Sequence, residues 1–134
     1  MRWSQLVETV REYGHYPTDA ESRRVIRSVL WALGGHLPDD VRADLARKLP
    51  APAAETLTDS LPVTQQLTGA QFVETVAQRV EGEDALTATA RRHVTSVLSV
   101  LADVAGEELV DRALEALPPD YAPLFGRAEL LRVA

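Results

Sequence analysis

An all-α fold is predicted by three observations. Apolar residues recur at three-and-four spacing along most of the chain, no strand-like alternation of four or more residues occurs, and one helical plan is written twice. Gln5 to Val10 reads QLVETV and Gln71 to Val76 reads QFVETV. Ser28-Val29-Leu30-Trp31-Ala32-Leu33 returns as Ser96-Val97-Leu98-Ser99-Val100-Leu101, and Leu49-Pro50 returns as Leu117-Pro118. The offset is 66 at the first block and 68 at the later ones, so two halves share one plan with a small length change near Asp84 to Ala90.

Each helix follows from its own residues. Trp3, Leu6, Val7, Val10 and Tyr13 form one helical face, and Gly14 marks its stop. Thr18 and Glu21 make a capping box for a second helix whose stripe is Ile26, Val29, Leu30, Leu33 and Leu37. Gly34-Gly35 is expected to end it with left-handed backbone positions. Pro38 suits the first turn of a third helix, Asp39 and Asp40 favour its positive end, and Val41, Leu45 and Leu49 form its buried edge until Pro50. The stretch from Pro50 to Leu67 lacks a long stripe and reads as a linker with a short helical turn near Ala53 to Ser60.

The second half repeats the scheme. Thr68 and Gln71 form another capping box, ahead of a fourth helix with Phe72, Val73, Val76 and Val80. Asp84 caps a fifth helix carrying Leu86, Ala90, Val94, Val97, Leu98, Leu101 and Val104, and Gly106 breaks it. Leu109, Ala113, Leu114 and Leu117 define a sixth, closed by Pro118-Pro119. A turn from Asp120 to Gly126, with Tyr121, Leu124 and Phe125, is expected to fold back as a lid on the core. The predicted architecture is a single domain over residues 1–134 of six main helices in two pseudosymmetric triplets plus a short C-terminal segment. Repeat one covers about 1–50, the linker about 51–67 and repeat two about 68–134, with the second and fifth helices at the centre.

Composition narrows the function classes. The chain has 134 residues, 46% hydrophobic and 25% charged, which suits one domain with a full core. Net charge is −6, and residues 67–134 carry 6 basic against 11 acidic groups. A nucleic-acid partner needs clustered Lys and Arg, so none is expected. The N-terminal residues lack the apolar run of a signal peptide, and Val94 to Ala105 is too short for a membrane span. No membrane partner is expected, and the expected location is cytoplasmic. With no cysteine, thiolate metal sites and Cys nucleophiles are excluded.

The candidate chemistry is sparse. His15, His36 and His93 share no helical metal spacing beyond His36 with Asp40, and are expected at the surface or at caps. No serine sits in a nucleophile elbow, and no Gly-rich loop follows a strand. Glu8 and Glu74 fall beside the buried stripes and are expected to be solvated. Arg23-Arg24 and Arg91-Arg92 are basic pairs at equivalent positions; they are read either as a two-part anion site or as ordinary surface pairs, such as Glu21 with Arg24. Trp31 stands beside its stripe where the second half has Ser99, so it is read as a partner anchor or as packed under the linker or the C-terminal segment.

The repeated order of a helix ending near Gly, a long helix with VLxxL and a closing LP, with Leu117-Pro118-Pro119-Asp120-Tyr121-Ala122-Pro123-Leu124-Phe125 at the end, resembles a bacterial helical family known as domain of unknown function 2267. The resemblance covers almost the whole chain, although the first half continues from Leu49-Pro50 without Tyr or Phe. It implies an all-helical fold and supplies no activity, cofactor or catalytic residue. Heavy use of Ala and Arg, with Lys48 the only lysine, points to a high-GC bacterial source.

The expected function is a non-enzymatic protein-interaction or scaffold module, with a protein partner or self-association and no cofactor. Trp31, Arg23, Arg24, Arg91 and Arg92 are the candidate contact residues. The alternative is a binder of a small apolar ligand between the repeats, and an enzyme ranks last.

Overall fold

The chain forms seven α-helices and one 3-10 helix in a computed structural model that describes residues 1–63, 65–81 and 87–127. The helices are α1 (Trp3–Gly14), α2 (Asp19–Gly34), α3 (Asp39–Arg47), α4 (Ala51–Thr58), α5 (Gly69–Glu81), α6 (Thr87–Ala105) and α7 (Glu107–Ala116), followed by the 3-10 helix Pro119–Phe125. No strand occurs among the described residues.

Local chemistry sets the boundaries. Thr18 Oγ1 accepts the Glu21 backbone N–H at 3.1 Å and starts α2. Thr68 and Gln71 exchange side-chain and backbone hydrogen bonds at 2.9 and 3.2 Å ahead of α5, a complete capping box. Asp120, from the 3-10 helix, accepts the Gly69 and Ala70 N–H groups at 2.7 and 3.2 Å, so the start of α5 is satisfied from a distant segment. Asp84 and Leu86, assigned to the start of the fifth predicted helix, lie outside the described residues.

The core is continuous through both halves. α2 packs on α1, α4 and α5, while α6 packs on α5, α1 and the 3-10 helix, and α2 also touches α6. Val25, Ile26, Val29, Leu30 and Leu33 from α2 meet Ala90, Val94, Val97, Leu98 and Leu101 from α6 in one buried cluster. These are the second and fifth predicted helices, and both lie in the interior. At the opposite end of the chain order α3 packs on α4 and α7.

Four expectations are corrected. Six helices become eight helical elements among the described residues, because Ala51–Thr58, expected as a linker with only a short helical turn, is a full α-helix and the C-terminal segment Pro119–Phe125 is a 3-10 helix. Ala53 and Leu57, four apart, are both fully buried against the core, and Pro52 sits in the first turn where a missing N–H costs nothing. Gly34 and Gly35 do not supply left-handed backbone; Gly35 has φ −69°. Their role is close approach: a Cβ on Gly34 would lie 2.3 Å from Ser60 Oγ and 2.4 Å from the Leu57 carbonyl oxygen, and one on Gly35 would lie 2.3 Å from the Leu61 carbonyl oxygen.

The C-terminal turn is core rather than lid. Tyr121, Leu124 and Phe125 are buried, and Tyr121 donates its hydroxyl to the Leu67 carbonyl at 3.0 Å. Two of the three histidines are interior rather than at the surface. His93 is buried because the Tyr16 hydroxyl meets its Nδ1 at 2.7 Å, and His36 because it packs edge-on against Phe72 and near Tyr121. Only His15 is exposed, in the left-handed conformation that ends α1.

Candidate functional site

Three surface grooves collect the side chains that could meet a partner. The first lies between α2 and α4, with a volume of about 290 Å³, and is lined by Arg27, Trp31, Pro52, Glu55, Thr56 and Asp59. Trp31 is half-buried on its rim. The Arg79 guanidinium from α5 stands 5.2 Å from the ring centroid and holds the indole by a cation–π contact. Arg27 is turned toward the Trp3 ring at 5.5 Å. Glu55 of α4 and Asp59, the residue that caps its C-terminal end, lie four apart, both exposed and without an ion pair among the described residues.

The Trp31 ring is therefore neither free nor covered. It borders the segment read as a linker, which is α4, and its equivalent in the second half, Ser99, is buried beside Gly126, whose Cβ position lies 3.1 Å from Ser99 Oγ.

The second groove, about 370 Å³, is lined by Tyr13 of α1 and Arg91, Arg92, Thr95 and Ser96 of α6. Arg91 and Arg92 thus share a cleft, but Arg23 and Arg24 line none of the three grooves. Arg24 is exposed, Arg23 half-buried, and the expected Glu21–Arg24 pair is not formed among the described residues. Among the described residues, none of the three grooves is lined by both arginine pairs.

The third groove, about 390 Å³, crosses from α3 to α7 and is lined by Asp44, Arg47, Lys48, Ala105, Glu108, Leu109 and Arg112. Arg112 donates to Asp44 at 2.7 Å and reaches Asp40 at 3.4 Å, while Arg47 donates to Asp44 at 2.6 Å. The Arg112 hydrogen bond holds the Asp44 carboxyl below its ordinary range, and Asp44 in turn holds Arg112 more firmly charged. This network ties the two halves at the surface, where such pairs add little stability.

The remaining candidates separate. Asp40 faces Arg112 while His36 Nδ1 lies 3.5 Å from Gln66 Oε1, so the two do not form a ligand pair. Burial pushes the His36 imidazole below its ordinary value, with the Gln66 contact opposing. No group of three or more His, Asp or Glu that could hold a metal occurs among the described residues. Glu8 and Glu74 are exposed, as their lateral positions require. Among the described residues no helix is long and apolar enough to cross a membrane.

An all-helical domain with a filled core and charged surface grooves is the class these features define. Residues 3–124 match the family described as uncharacterized conserved protein (DUF2267), and the chain belongs to that family. No curated protein matches the chain.

Proposed function

We propose that the domain is a non-enzymatic protein-interaction module whose contact surface is the α2/α4 groove around Trp31. The observation that carries this reading is a large aromatic held at half exposure beside two unpaired carboxylates. Arg79 fixes one approach to the indole, Arg27 lines the α2 side of the groove while its guanidinium stands over the Trp3 ring, and Glu55 with Asp59 make the α4 side acidic. Trp anchors dominate many protein interfaces, and acidic rims select basic partners. The partner is a protein segment that places an apolar side chain against Trp31 and a Lys or Arg between Glu55 and Asp59.

The duplicated sequence belongs to the same reading. The packing of α1 on α6 beside that of α5 on α2, and of α4 on α2 beside that of the 3-10 helix on α6, supports reading the two sequence halves as related units. Duplication supplies a rigid frame, and divergence after the LP pairs opens the groove in one copy only. The apolar-ligand reading has weaker support, since the groove that crosses between the halves at α3 and α7 is walled by Asp44, Arg47, Lys48, Glu108 and Arg112. Cytoplasmic, bacterial residence fits the composition and the absence of cysteine.

A photo-crosslinking amino acid placed at Thr56, inside the groove, tests the proposal in the source cells. The expected product is one protein crosslinked through a Lys- or Arg-bearing peptide, with a yield reduced at least about tenfold by Trp31→Ala. An undiminished crosslink in a folded Trp31→Ala variant removes the groove as the contact surface.

A further inference from the structure

The cleft at Tyr13, Arg91, Arg92, Thr95 and Ser96 forms where the end of α1 meets α6. Gly14 lets the end of α1 press on α6: a Cβ there would lie 2.9 Å from Ser96 Oγ and 2.4 Å from the Tyr16 ring. His15 then turns the chain through φ 56°, ψ 41°, and Tyr16 returns to hydrogen-bond His93 at 2.7 Å inside the core. The end of α1 is thereby fixed against α6, and Tyr13, 52% exposed, lines the cleft beside it.

Arg91 and Arg92 are exposed and have no carboxylate partner among the described residues. Both arginines line the cleft. Thr95 adds a hydroxyl, whereas the Ser96 hydroxyl is spent on the Arg92 carbonyl at 2.7 Å. In a chain of net charge −6, two arginines lining one cleft without a carboxylate partner among the described residues form a local exception.

We propose that this cleft is an anion site for a small phosphate ester. Arg91 and Arg92 hold the phosphate oxygens, Thr95 donates a further hydrogen bond, and the organic part of the ester lies against the Tyr13 ring. Guanidinium groups match phosphate geometry in paired, charge-assisted hydrogen bonds, and a dianion balances two cations where a carboxylate would leave one over. The volume of about 370 Å³ suits a small ester rather than a polymer. This site is independent of the Trp31 groove, which uses α2 and α4.

The test is a backbone-amide NMR titration of the full chain with phenyl phosphate, inorganic phosphate and phenol. Phenyl phosphate is expected to shift the signals of Tyr13, Arg91, Arg92, Thr95 and Ser96 saturably, with a dissociation constant of about 1 mM or tighter. Inorganic phosphate binds more weakly and phenol not at all. Arg91→Gln and Arg92→Gln each weaken phenyl phosphate about tenfold, while Tyr13→Ala weakens phenyl phosphate and leaves inorganic phosphate unchanged. An Arg23→Gln, Arg24→Gln double variant binds like the parent. The proposal is overturned if the shifts do not saturate, if the Arg91 and Arg92 variants bind undiminished, or if Tyr13→Ala changes nothing. Co-sedimentation with phosphatidic acid vesicles, in place of small-ester binding, also overturns it and moves the phosphate to a lipid surface.

Discussion

Replacing Leu57 by Ala separates a helix that belongs to the core from a segment that merely connects two halves. Leu57 is fully buried, whereas Leu61, four residues later, is 73% exposed. Truncating a buried Leu removes its transfer free energy and leaves a cavity, about 2–5 kcal/mol together. Leu57 sits on a short helix near the surface of the bundle, where partial collapse is easier, so a loss of about 3 kcal/mol is expected. That is a large share of a total stability of roughly 5–15 kcal/mol, and it lowers Tm by about 10 °C for a domain of this size. Leu61→Ala, chemically identical, should stay within about 0.5 kcal/mol. Urea denaturation followed by far-UV circular dichroism reads both, with a shifted midpoint and an unchanged slope expected for Leu57→Ala. A cost below about 1 kcal/mol for Leu57→Ala would refute the assignment of α4 to the core.

Further outcomes follow from single contacts. Gly34→Ala gains about 1 kcal/mol of helix propensity but drives a methyl into Ser60 and the Leu57 carbonyl, so a net loss of about 1–3 kcal/mol is expected by denaturant titration; a stabilised variant would contradict the close approach. Asp120→Ala removes the acceptor for two N–H groups at the start of α5 and should cost about 1 kcal/mol in the same assay, with no change expected if α5 caps itself. Burial depresses the folded-state pKa of His36, so the unfolded chain takes up the proton more readily. The resulting stability is complete above the unfolded value near 6.5 and is lost as pH falls through the lower folded value. Denaturation midpoints between about pH 7.5 and about pH 5.5 should therefore fall more steeply in the parent than in His36→Gln, and equal slopes would contradict the burial argument.

The sequence made the long elements legible because their signals are local. Thr18, Thr68 and Gln71 cap the helices that their spacing names, and the stripes of α2 and α6 mark the interior. α4 was hidden because eight residues leave room for only Ala53 and Leu57 on the buried face, too few for a periodic stripe. The Gly34-Gly35 pair reads as a helix stop from either role, and only the position of Leu57, Ser60 and Leu61 distinguishes close approach from a left-handed turn. The burial of His93 depends on Tyr16, 77 residues away, which no local pattern announces. The candidate sites divide the same way: Trp31 and the Arg91-Arg92 pair stand out in sequence, while Pro52, Glu55, Asp59 and Tyr13 join them only through the packing of α4 on α2 and α1 on α6.

Native mass spectrometry of the protein purified from its own host, beside the Trp31→Ala variant prepared identically, tests the interaction module most directly. An interaction module should carry a stoichiometric protein companion on the parent and lose it from a folded Trp31→Ala variant. A companion retained equally by both, or a bare monomer in the parent alongside a tightly held apolar small molecule, would contradict it.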